Sequence, residues 1–361
     1  MSVSPPVTRD NRVIFSQGDR SFTVKDVIDW AAIRGDLGPI WAEFMRVVEC
    51  DRLANEQDLE LDDAALDSAS IAFRYEHDLI TAEETERWLD DRNLTLSEFS
   101  EYFARRYWGR TYTGKVNPAE RSYQAASPDE RDLLLVDLTL SGELDRLADR
   151  LSWRIAAQAN EKTDVAEGVA EERKGFLSRG KIEAEDLADW LGQLGRNADW
   201  LDDLLGAEVA YRRQTTSLVG EKDLQRELIS MRLMLTRFEI EVIEVDSRDA
   251  AAEVFACVRS DEMEMAEVAE ESRYPFHRSE VLLEDITPDQ QQLFLSVKAG
   301  ALVEPIPRED GFQVCRVKAR IEPTLQDAAI RERLGQRIIE RHFSDLVSKY
   351  IDWRILQQTS E

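Results

Sequence analysis

From about residue 23 to 235 the apolar side chains recur at helical spacing. They lie in long stretches rich in Ala, Leu, Glu and Arg with few glycines or prolines inside them, and the pattern predicts a succession of amphipathic helices. Helix starts are marked by Thr23 with Asp26, Thr81 with Glu84, Thr95 with Glu98, and Ser127-Pro128-Asp129-Glu130. In each, a hydroxyl can accept from free amides of the first turn while the acid reaches back. Ahead of the helices, RVIFSQGDRSF (12–22) sets apolar runs on either side of Gln-Gly-Asp and predicts a short hairpin.

The pattern also repeats. LITAEETERWLDD (79–91) returns as KIEAEDLADWLGQ (181–193), so that Trp88 and Leu89 become Trp190 and Leu191 at a shift of 102. Downstream, Leu96, Phe99, Phe103 and Tyr107 become Ala198, Leu201, Leu205 and Val209, which keeps the apolar phase. ANE at 54–56 recurs at 159–161. The expectation is a duplicated helical module, with the two tryptophans in the core and a cleft between two similar lobes. Two copies fall short of the three or more that a solenoid needs.

Near residue 236 the period changes. RFEIEVIEV (237–245) alternates apolar and charged residues as a half-buried strand does, and SRDAAAEVFACVR and MEMAEVAEES follow as helices. Thr287-Pro288 starts a helix through QQQLFLSVKAG that ends at Gly300, and LVEPIPREDGFQVCRVKAR closes as a hairpin around Glu309-Asp310-Gly311. Thr324 then caps a helix of about thirty residues through LQDAAIRERLGQRIIERHFSDLVSKYIDWRIL. The chain therefore reads as mainly α with a small α+β domain. It divides into an arm and hairpin (1–22), helical module 1 (23–115), helical module 2 (116–236), the α+β domain (237–322), and a C-terminal helix packing on the helical body (323–361).

With 73 acidic against 46 basic residues the net charge is −27, which argues against recognition of nucleic acid phosphates and for a basic or neutral partner. Cys50, Cys257 and Cys315 are far apart and odd in number, so neither a disulfide framework nor a zinc site is expected. His77, His277 and His342 are equally scattered, and no metal or cofactor is expected. Pairs such as Glu83/Glu84 and Asp90/Asp91 belong to helix ends, where carboxylates answer the dipole or water. No signal segment or apolar span stands out, and the expectation is a cytoplasmic protein that does not enter a membrane.

MEMAEVA (263–269), VKAGALVEPI (297–306) and GFQVCRV (311–317) resemble the PpiC-type parvulin domain, the fold of one class of peptidyl-prolyl isomerases. The order of helical modules, parvulin-like domain and returning helix is similar to SurA-like chaperones. It is also similar to PpiC-related accessory proteins of peptide-maturation systems. The resemblance implies a binding surface for extended polypeptide at Glu241, Met265, Ile286, Gln290, Phe294, Phe312 and Gln313. It also implies histidines in the first and last strands, where this chain has residues near Glu241 and Gln313 instead, and a glycine-rich loop where RYPFHRSE stands.

Rotation about a prolyl amide must cross a barrier of ~18–20 kcal/mol, so losing both histidines removes the polar network that would favour the twisted amide. The expectation is a non-catalytic holder of an extended or precursor peptide, basic in character. The alternatives are an active isomerase using Gln313 and Glu241, and a structural partner of a peptide-modifying enzyme.

Overall fold

The computed structural model describes residues 9–112, 121–161, 165–180, 182–260, 263–308 and 310–354. The extreme ends of the chain, the 115/116 module boundary, Lys181 at the head of the second copy, and Glu309 of the expected hairpin lie outside these. Contacts divide the chain into two compact units, one of residues up to Gln214 with those from His342 onward, the other Thr215–Arg341. Among the described residues no helix is long and apolar enough to cross a membrane.

The first unit begins with β1 (Val13–Gln17) and β2 (Arg20–Thr23), the expected hairpin. Five helices follow: α1 (Val24–Arg34), α2 (Leu37–Glu56), α3 (Asp63–Glu76), α4 (Ala82–Asp90) and α5 (Leu96–Thr111). The same order then recurs as α6 (Pro128–Leu140), α7 (Glu143–Asn160), α8 (Ala166–Gly180), α9 (Leu187–Gln193) and α10 (Ala198–Leu218). All four expected capping boxes form, at Thr23, Thr81, Thr95 and Ser127. ANE ends α2 in one set and spans the end of α7 in the other.

The correspondence extends to the backbone of the link after each tryptophan helix. The Leu94 N–H donates to the Leu89 carbonyl and the Arg196 N–H to the Leu191 carbonyl, both at 2.9 Å. The residue before each donor, Asn93 or Gly195, is left-handed, with φ 54° and 67°. This is the helix stop in which one αL residue lets the chain reverse and return an N–H to the last turn.

The two sets are not separate walls. Each is closed by the leading helix of the other. Val136 and Leu140 of α6 sit in the core of Phe73, Trp88, Leu89, Phe99 and Phe103 from α3, α4 and α5. Arg106 of α5 pairs with the buried Asp137 at 2.8 Å. Reciprocally, Trp30 of α1 donates its indole N–H to the buried Glu208 of α10 at 3.1 Å, and Arg34 pairs with the same carboxylate at 2.6 Å. The expected cleft between two similar lobes is thereby replaced by an interlock, in which α1 and α6 each pack on helices of both sets.

The second unit holds α11 (Glu221–Met231), β3 (Arg237–Val245), α12 (Arg248–Ser260), α13 (Met265–Ser272), β4 (Phe276–Leu282), α14 (Pro288–Ser296), β5 (Leu302–Arg308), β6 (Gly311–Ile321) and most of α15 (Ala328–Tyr350). The strands form one antiparallel sheet in the order β4-β3-β6-β5. β3 buries both faces. Phe238, Ile240 and Val242 meet α14 on one side, and Ile243 and Val245 meet α12 and α13 on the other. The β5–β6 turn requires Gly311, whose φ is 140° and where a Cβ would lie 2.1 Å from the Val245 carbonyl oxygen.

Four local expectations are corrected. RYPFHRSE, standing where the resemblance implies a glycine-rich loop, contributes to β4, paired residue for residue with β3. α14 stops at Ser296 rather than at Gly300. Asp327, not Thr324, caps α15, accepting from the Ala329 N–H at 2.9 Å. α15 ends at Tyr350, and β7 (Asp352–Trp353) then pairs with β1 in the first unit. Packing the half-buried Trp353 against Phe15, with ring centroids 5.3 Å apart, goes with the turn of those residues out of the helix.

Candidate functional site

The seven residues implied as a peptide surface all belong to the second unit, and the pleat of its sheet separates them. Between Ile240 and Val245 β3 pairs with β6 without a bulge, and Glu241 stands opposite Arg316 while Glu244 stands opposite Gln313. Glu241 and Gln313 therefore face opposite sides. Met265 and Phe312 lie with Glu241 on the α12–α13 side, Met265 being fully buried in that core. Ile286 and Phe294 lie with Gln313 on the α14 side, and Phe294 is 3% exposed, a core residue packed on Phe238. Gln290 occupies the first turn of α14, its N–H donating to Thr287 Oγ1 at 3.4 Å.

The side chains of Gln313 and Glu241 are already engaged. The Gln313 side-chain carbonyl accepts from Arg308 Nε at 3.0 Å and Nη2 at 2.8 Å, and its amide donates to Glu244 Oε1 at 3.3 Å. Glu241, 3% exposed, accepts from Arg316 at 2.8 Å and faces Arg278 at 3.3 Å and Lys318 at 3.6 Å. Burial by itself would raise the Glu241 carboxyl. The Arg316 hydrogen bond and the charges of Arg316, Lys318 and Arg278 outweigh it and hold the group below the usual glutamate range. Arg316 is shared with Glu264 at 2.5 Å. Cys315 lies between these networks, its thiol pushed up to about 12 by burial.

This buried ion network was not foreseen. Its signal was the alternation itself, since a charge at the inward position of a strand requires partners on the neighbouring strand. A cavity of about 570 Å³ does open on this unit, but it is lined by Phe255, Leu293, Val297, Leu302 and Arg316, and by none of the seven. Among the described residues no cluster of His, Cys, Asp and Glu has the arrangement of a metal site.

The two sheet edges differ. β5 carries Pro305 and Pro307, which lack the N–H a further strand would need. β4 carries none, and His277, Arg278, Ser279 and Glu280 are all exposed along it.

No protein-family model matches the chain, and no curated protein matches it in sequence. Solved structures do resemble it. The peptidylprolyl isomerase PrsA from Bacillus anthracis is 12% identical over 57% of this chain and 97% of its own, with a TM-score of 0.31. PrsA from Bacillus cereus is 15% identical over 67% and 92%, with a TM-score of 0.35. One of two structurally related SurA-like chaperones of Campylobacter jejuni is 7% identical over 60% and 87%, with a TM-score of 0.20. This chain is similar to parvulin-type and SurA-like proteins at that level.

Proposed function

We propose that this protein binds an extended polypeptide and holds it without isomerising its prolines. One observation carries the reading: Gln313 and Glu241, at or near the places where the parvulin resemblance implies histidines, point to opposite sides of the sheet. Each is held by arginine. Catalysis needs polar groups that converge on one amide and favour its twisted form, and two groups divided by the sheet do not converge.

Holding needs less. The open β4 edge offers backbone donors and acceptors to an added strand, with Ile286 and Gln290 partly accessible on the α14 side. Ordering a flexible chain costs entropy, so affinity per unit area is modest and release is easy. Three unpaired cysteines support placing this activity in the cytoplasm.

The test is a proline-peptide isomerisation assay run beside a binding titration with the same peptide. The expected result is saturable binding with interconversion at the uncatalysed rate. Turnover that disappears in Gln313→Ala would overturn the non-catalytic part, and a protein that binds no unfolded chain would overturn the whole.

A further inference from the structure

α3, α4 and α5 enclose a groove of about 390 Å³, large enough for a few side chains and far too small for a folded domain. Its apolar lining includes Phe99 and Phe103, with Leu66 and Leu96 beside them. α3 is fastened over this core by one fully enclosed side chain, Phe73, so its flank stays open. Large apolar side chains are left in water on the same stretch: Ile71 at 48% exposure, Tyr75 at 70%, Ile80 at 65% and Leu96 at 52%. Of these, Leu96 lines the groove itself, and an exposed apolar side chain at the mouth of an apolar groove is a mark of an interaction surface.

Charge selects the occupant. Asp67 and Glu86 line the groove, are exposed, and have no ion-pair partner among the described residues. Arg74 also lines it and keeps its charge, but its guanidinium is tied to the α3–α4 link, donating to the Leu79 and Ile80 carbonyls at 3.3 and 2.9 Å, so the two carboxylates still leave the lining net negative. From Glu60 to Glu101 there are thirteen Asp and Glu against Arg74, Arg87 and Arg92. Of these three, Arg92 lies over the Trp88 ring at 4.0 Å.

We infer that this groove is a docking site for an extended segment that places an apolar side chain over Phe99 and Phe103 and flanks it with lysine or arginine facing Asp67 and Glu86. The inference rests on the holding function proposed above and gives the client its chemistry, apolar residues interspersed with cations. The acidic field also draws such segments in from a distance, an effect that salt screens.

The test uses the full chain and a short labelled peptide of leucine and lysine with glycine spacers, followed by fluorescence anisotropy. Two control peptides replace every lysine by glutamate or every leucine by serine. At low salt the first peptide is expected to bind at least about tenfold more tightly than either control, a difference of ~1.4 kcal/mol. The gap to the glutamate control should shrink as salt rises. The double substitution Asp67→Lys with Glu86→Lys, at exposed positions, should reverse the charge preference, and Leu96→Ser should weaken binding of the leucine peptides; a melting curve confirms that each variant is folded. Peptide binding that ignores all three substitutions would overturn the groove and leave the holding function standing. Failure of every peptide to bind would overturn both.

Discussion

Phe176 meets Trp190 with ring centroids 5.5 Å apart and planes at 64°, and Phe73 meets Trp88 at 5.4 Å and 84°. In both sets of helices a phenylalanine on the third helix is set against the tryptophan of the fourth. Phe176 is 2% exposed, and its truncation leaves a cavity that α8 cannot refill. Phe176→Ala should cost about 3–5 kcal/mol in urea unfolding of the first unit, with Phe73→Ala similar. A loss below 1 kcal/mol in either would show that the third helices are dispensable to the core.

In the two turns after those tryptophan helices, the left-handed position holds Asn93 in the first and Gly195 in the second. A Cβ at Gly195 meets nothing within 4 Å, so the cost of Gly195→Ala is that of backbone conformation alone, about 1 kcal/mol. Asn93→Gly should be close to neutral, since asparagine tolerates this conformation. Thermal melts of the two variants check the asymmetry.

Glu208 holds the interlock between the sets. It accepts from Trp30 at 3.1 Å, and from Arg154 at 3.2 Å, and it pairs with Arg34 at 2.6 Å. Glu208→Ala leaves the buried Arg154 without its carboxylate and should destabilise the unit by about 3–5 kcal/mol. Glu208→Gln retains acceptors and should cost less. Denaturant midpoints that coincide for the two variants would mean that shape, not charge, matters here.

Glu241 gives the second unit a pH dependence of known sign. Its carboxyl is held below the usual range in the folded state, so its contribution is present above the unfolded-state pKa and is lost as pH falls through the lower folded value. Glu241→Gln should be less stable than the parent at pH 7, by ~1–3 kcal/mol, with the difference closing on acidification. A constant difference from neutral pH to pH 3 would contradict an ionic origin.

Much of the fold was legible because it is local. The capping boxes at Thr23, Thr81, Thr95 and Ser127 are satisfied within a few residues of themselves, and the alternation from Arg237 to Val245 states its own period. The candidate site was less legible. Whether Glu241 and Gln313 share a face depends on where the Glu239/Ile240 bulge falls and on the β3–β6 register, which no short stretch encodes. Met265 and Phe294 are core rather than contact residues, and an apolar side chain at helical spacing looks the same in either role.

By itself, then, the sequence determined the helices, the twofold recurrence of their order, the α+β domain and the acidic surface, since these follow from spacing, caps and charge count. Tertiary structure alone decided that α1 and α6 each bridge the two sets. It alone drew Asp352 and Trp353 out of α15 onto β1, and it divided Glu241 from Gln313. The physical reason is the same in each case: an apolar face is covered by whichever partner buries most area, and that competition between distant segments is settled only when the chain is compact.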